Sequence, residues 1–171
     1  MDITDLSDLE AIKRLKYRYL RCLDQKLWDE LADCLTPGAT ASFGGGAYIL
    51  DDRDSIIGFL VEHMGSERVL SSHRCHHPEI ELDPPAGDGS RTAAGVWAMD
   101  DRVLLLELDV TVSGAAFYTD RYRRSACGGW RIASTGYKRT FEEVQLRSAQ
   151  PGLAVTADWY ATDGRSELPA G

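Results

Sequence analysis

Three side chains in this sequence have the right types to run proton-transfer chemistry without a cofactor. Tyr19 and Asp24 fall close together in Tyr-Leu-Arg-Cys-Leu-Asp, and His73 follows in Ser-Ser-His-Arg-Cys-His-His-Pro-Glu. A carboxylate that holds an imidazole decides which ring nitrogen carries the proton and leaves the other as a base. A phenol nearby can donate to a carbonyl oxygen on which negative charge develops. Nothing local in the chain brings the three together, so the elements around them have to do it.

Other chemistries are less well supported. His73, Cys75 and His77 would face one side of a regular strand and include metal-ligating types, with His76 beside them. There is no obvious fourth ligand, and Pro78 would disturb the ladder, so no metal and no cofactor is expected. Gly44-Gly45-Gly46 is a hairpin or bulge signal without the spacing of a dinucleotide site. There is no nucleophile elbow, phosphate loop or zincin helix.

Apolar residues at Leu9, Ile12, Leu15, Tyr19, Cys22 and Leu23 recur every three or four positions and predict a helix over 4–23, capped by Thr4 or Ser7. Tyr19 lies on the inward stripe; Asp24 leaves the helix end or sits beside the stripe. A second helix is expected over 27–35, ended by Pro37-Gly38, and a third over 53–64, capped by Asp51 or Asp52. Short strands are expected over 39–43 and 47–50. The period then changes to two, predicting strands over 70–83, 90–100, 103–113, 115–125 and 129–141, with turns at Asp100-Asp101-Arg102, Ser113-Gly114 and Ala126–Gly129. Helices followed by a run of antiparallel strands give an α+β class. Residues 147–171 read as a tail carrying Trp159-Tyr160.

A chain of 171 residues with 43% hydrophobic residues is large enough for one domain with its own core. The net charge of −8 argues against nucleic acid and anionic membrane as partners. Cys22, Cys34, Cys75 and Cys127 form no Cys-x-x-Cys pair, and the acidic N-terminus has no signal-like apolar stretch; a cytoplasmic protein with reduced thiols is expected.

The order of elements and several motifs resemble the SnoaL-like branch of the nuclear transport factor 2-like superfamily, in particular the scytalone dehydratase and bile-acid dehydratase type. The marks are Tyr19, Asp24, Lys26 and Trp28-Asp29 in the first helices, Ser72-His73 opening the second half, Ala94-Gly95, and Tyr118-x-Asp120-x-Tyr122-x-Arg124 before Gly129-Trp130-Arg131-Ile132. The resemblance implies a cone in which three N-terminal helices pack on a curved antiparallel sheet around an apolar pocket, over residues 1–146. It implies His73 as the catalytic base, Asp24 as the carboxylate holding it, and Tyr19 and Tyr118 in the pocket. The scytalone enzyme's second pocket histidine is absent between Gly95 and Arg102, and Phe43 stands in place of a water-holding tyrosine. Trp28 and Trp97 are expected in core or pocket wall, Asp100 as a nearby polar group, and Arg139 at a substrate anion or subunit contact. The expected function is a lyase or isomerase for an apolar cyclic or polycyclic small molecule, in a homo-oligomer (dimer or trimer). The alternatives are a non-catalytic binding or docking protein, a polyketide cyclase, and an epoxide hydrolase using Asp120, Arg121 and Arg139.

Overall fold

A computed structural model describes residues 2–168. Helix α1 spans Ile3–Asp24, and Asp2 caps it: its carboxylate accepts from the Asp5 amide while the Asp5 carboxylate accepts from Asp2. Thr4 and Ser7 therefore lie inside the helix rather than at its cap. Helix α2 is one short run, Trp28–Asp33, and ends before Pro37. Strand β1, Leu35–Phe43, begins almost at once and contains Pro37-Gly38 where its register shifts. Gly44, Gly45 and Gly46, all at positive φ, make the turn into β2, Tyr48–Leu50. Helix α3, Arg53–Met64, follows, capped by Asp52.

Four long strands complete the chain: β3 Val69–Leu82, β4 Arg91–Leu105, β5 Val110–Arg124 and β6 Trp130–Leu146. All six strands form one curved, unclosed sheet in the order β2-β1-β6-β5-β4-β3. Two corrections follow. The sheet is mixed, because β1 runs parallel to β6, and the third helix comes after the first two strands rather than ahead of the sheet. The expected strand over 103–113 is instead the tip of a hairpin: β4 and β5 pair from Val103↔Val112 to Leu105↔Val110 across a turn at 106–109. Asp109, at φ 58, tolerates the left-handed conformation this turn needs. Asp100-Asp101-Arg102 and Ser113-Gly114 lie within strands, opposite one another.

The core sits between the helices and one face of the sheet. Ile12, Tyr19, Leu20 and Leu23 of α1 pack with Trp97, Met99, Ala116, Tyr118, Tyr122 and Ile132. An ionic node ties α1 to the strands: buried Asp8 accepts from Arg91 at 2.9 Å, from Trp130 Nε1 at 2.8 Å and from Arg124. Part of the tail returns to the body, where the Tyr160 hydroxyl donates to the Asp24 carbonyl at 3.4 Å and Lys26 sits over its ring. Among the described residues, no helix is long and apolar enough to cross a membrane.

Candidate active site

Asp24, the last residue of α1, faces the start of β3. Its Oδ1 lies 2.6 Å from His73 Nδ1 and accepts from the Ser71 hydroxyl at 2.8 Å; its Oδ2 accepts from the His73 backbone amide at 2.9 Å. Two strand residues thus grip the carboxylate and fix its plane against the imidazole. An ionised carboxylate only accepts, so His73 Nδ1 carries the proton and Nε2 is the free base nitrogen. Burial pushes the Asp24 carboxyl up, but the His73 and Ser71 hydrogen bonds and the His73 charge outweigh it and hold the group below the usual aspartate range. The His73 side chain is only 10% exposed.

His73 lines a cavity of about 220 Å³ together with Tyr19, Leu23, Phe43, Tyr48, Phe59, Leu60, His63, Met64, Tyr118 and Tyr137. The wall is built of stacked rings: Phe43 lies between Phe59 and Tyr137, at centroid distances of 5.8 and 5.7 Å, and Tyr137 meets Tyr118 edge-on at 5.4 Å. The Tyr19 hydroxyl is fully buried and has no hydrogen-bond partner among the described residues. An unmet buried hydroxyl costs about 1–3 kcal/mol, a deficit that a ligand oxygen in the cavity would remove. Burial, then the charge of Asp120, pushes the Tyr19 phenol far above its ordinary value, so it stays a neutral donor.

Beneath these tyrosines lies a polar layer that the sequence reading missed. Lys16 and Asp120 are both wholly buried, with Nζ 2.7 Å from Oδ2 in an ion pair that lacks hydrogen-bond alignment. Asp120 also accepts from Tyr122 and from Thr135, each at 2.7 Å, and Tyr122 accepts from Trp97 Nε1 at 2.8 Å. The Lys16 ammonium stands 3.5 Å from the centre of the Tyr118 ring. The legible signal was a lysine one turn before Tyr19, on the inward stripe of α1, opposite an acidic residue in the Tyr-Thr-Asp-Arg-Tyr strand.

The other candidates divide between this cavity and the rest of the molecule. Phe43 and Tyr118 line the cavity. Trp97 is buried in the polar layer, and Trp28 borders a separate surface hollow with Lys26 and Glu30. Asp100 is exposed and bonds His76 Nε2 at 2.8 Å. Arg139 pairs through two nitrogens with buried Asp101 and also with Glu142, at 3.1 Å. Asp120, Arg121 and Arg139 are not gathered: Asp120 is held by Lys16, Arg121 is exposed on β5, and Arg139 is held by Asp101. His77, at φ 51, forms a bulge where β3 slips register, which breaks the alternation assumed for His73, Cys75 and His77. Among the described residues, no set of three or more His, Cys, Asp and Glu side chains is grouped to hold a metal.

Comparison with solved structures gives the same fold in several small proteins. A candidate scytalone dehydratase from Novosphingobium aromaticivorans DSM 12444 superposes with a TM-score of 0.70 at 20% identity, over 84% of this chain and 91% of that one. Hexachlorocyclohexane dehydrochlorinase LinA-type3 from Novosphingobium barchaimii LL02 gives 0.68 at 16% identity, over 91% and 98%. ActVI-ORFA from Streptomyces coelicolor gives 0.56 at 16% identity, over 77% and 96%. The SnoaL-like domain family matches residues 4–136, most of the chain, and the protein belongs to that family.

Proposed function

We propose that the chain is a cofactor-independent lyase or isomerase in which His73 removes a proton from carbon next to a carbonyl. The observation that carries this reading is the Asp24–His73 contact of 2.6 Å on the wall of an aromatic cavity that also holds the unpartnered Tyr19 hydroxyl. In this reading His73 Nε2 takes the proton and the C–H electron pair moves to the carbonyl oxygen. Tyr19, with Tyr118 beside it, donates to that oxygen. Asp24 keeps Nδ1 protonated and balances the imidazolium. The enolate then either expels a group from the next carbon or is reprotonated elsewhere, giving elimination or isomerisation. A positioned base of this kind is worth about 10²–10⁴-fold, and a donor at the oxyanion adds about 3 kcal/mol.

Size narrows the substrate. A cavity of about 150 Å³ holds one benzene ring, and drug-sized ligands need about 300 Å³ or more. At about 220 Å³ the site suits a one- or two-ring ketone rather than a polycyclic one. Similarity to a dehydrochlorinase and a candidate dehydratase supports elimination as the first reaction to try. The test is exchange of the C2 protons of 1-tetralone in D2O, followed by NMR. The protein should accelerate it, and His73→Ala should lose about 10²–10⁴-fold of the rate. Undiminished exchange in His73→Ala would falsify the assignment of the base.

A further inference from the structure

An ammonium lies buried beneath the tyrosines of the cavity and takes no part in moving the proton. Lys16 stands three residues before Tyr19 on α1, and its wholly buried Nζ lies 3.5 Å from the centre of the Tyr118 ring and 5.2 Å from that of Tyr19. The ammonium meets Asp120 Oδ2 at 2.7 Å, yet it has no aligned hydrogen-bond acceptor among the described residues. It is therefore held by charge and by the ring face. Asp120 is pinned in turn by the Tyr122 and Thr135 hydroxyls. It follows Tyr118 by two residues on β5 and lies on the same buried face of the strand. A buried ion pair adds little stability over apolar side chains of the same size, so what this pair changes is the potential at the groups around it. Those groups include the Tyr19 and Tyr118 phenols, which border the cavity. Burial above all, with the Asp120 charge among the lesser causes, holds both phenols well above their ordinary values. A cation on the ring face acts in the opposite sense, since it is drawn to the ring's electron density and withdraws it from the phenol oxygen.

Resting on the reading above, we propose that Lys16 is a positioning residue of the oxyanion site: it polarises the Tyr118 ring and offsets the Asp120 carboxylate, so that the phenols donate more strongly to a substrate oxygen as that oxygen becomes an anion. Lys16 touches no substrate and transfers no proton. Its charge is in place before the ligand arrives, so the site needs no reorganisation as the enolate forms. The ligand class this arrangement favours is a one-ring phenolate, which presents to the cavity the oxygen anion that a ring ketone acquires only on enolisation. The pair thus separates anionic from neutral oxygen in ligands of the same size, a distinction the aromatic wall alone does not make.

The probe is 3,4,5-trifluorophenol, a single ring whose phenol and phenolate forms differ in fluorine NMR shift. Bound to the wild type at fixed pH, it should carry a larger phenolate fraction than it does free in water. Lys16→Met keeps the length of the side chain and removes the charge. It should lower the bound phenolate-to-phenol ratio about tenfold and slow 1-tetralone exchange at saturation about as much, with the dissociation constant of neutral 1-tetralone unchanged. A merely structural role would loosen both ligands together and leave the ratio where it was. Asp120→Asn changes the charge in the opposite sense and should raise the ratio, and it decides the matter where Lys16→Met does not fold. An unchanged ratio in either variant overturns the proposal, as does a loss of 1-tetralone binding that matches the loss of phenolate. The bound phenol is read without any proton abstraction from carbon, so undiminished exchange in His73→Ala removes the base and leaves the Lys16 measurement standing.

Discussion

Asp24 is where burial and pairing compete, and pairing wins. Its folded carboxyl titrates below the aspartate range while in the unfolded chain it titrates near the ordinary value of about 3.9. The unfolded state therefore binds the proton first on acidification. The contribution to stability is complete above the unfolded value and is lost as the pH falls through the folded one. Asp24→Asn should flatten the fall in urea-unfolding free energy between about pH 5 and pH 2 relative to the wild type. A steeper fall in the variant would contradict the pairing. The same substitution deprives His73 of its anion and of its enforced tautomer, so tetralone exchange should drop by about 10²–10⁴-fold, as for loss of the base. Tyr19→Phe removes an unmet buried hydroxyl. It should leave the fold as stable or up to about 1–3 kcal/mol more stable while slowing exchange, and thermal unfolding beside the NMR assay would show the two moving apart.

At the scale of elements, the site depends on holding α1 at a fixed height over the sheet, since α1 supplies both Tyr19 and Asp24. Asp8 is the anchor, and removing it takes the acceptor from the buried Trp130 indole N–H and one of two carboxylate partners from Arg91, which keeps Asp5 at 2.8 Å. Asp8→Ala should cost about 1–3 kcal/mol in denaturant unfolding, the penalty for leaving a buried donor unmet. The parallel β1–β6 contact is the second support, because it brings Phe43 and Tyr137 together. A Cβ at Gly136 would stand 2.6 Å from the Ser42 carbonyl oxygen, so Gly136→Ala must push β1 away. The expected cost is about 1–3 kcal/mol in thermal or urea unfolding, with weaker tetralone binding. The parallel pairing was not legible in the sequence: β1 and β6 are nearly a hundred residues apart, and alternation alone does not reveal strand direction. The hairpin tip failed for a related reason, since Leu104, Leu106, Leu108 and Val110 keep a period of two straight through the turn.

Across the whole molecule, the outward face of the sheet carries Val96, Phe117 and Phe141, placed on one side by the pairings Val96↔Thr119 and Ala115↔Phe141. Phe117 and Phe141 are each more than half exposed, and apolar surface of that kind is normally covered by a partner. We expect a homo-oligomer, dimer or trimer, closed through this face. Light scattering should return two or three times 18.9 kDa, and Phe117→Glu with Phe141→Glu should return a single chain. The segment after Leu146 is proposed as an appendage to the catalytic unit. Tyr160 holds it against the end of α1, so deleting residues 150–171 should expose the Asp24 carbonyl and alter the hydration of the dyad.

What the sequence determined by itself is what depends on local pattern: the three helices, the two-residue period of the long strands, the glycine turn, and the residue types of the dyad with the motifs that resemble the SnoaL-like family. What only the tertiary structure decided is which of those groups share a space. Asp101 was expected in a turn and Arg139 at a substrate anion or subunit contact, yet they meet inside the sheet because β4 and β6 flank β5. Lys16 stands between Arg14 and Arg18 in the sequence, yet it is wholly buried because Asp120 faces it across the core. His63 and His73 stand ten residues apart on a helix end and a strand, and both border one cavity. Local propensity acts over a few residues, whereas these contacts join positions tens of residues apart, and only strand order and register bring such positions together.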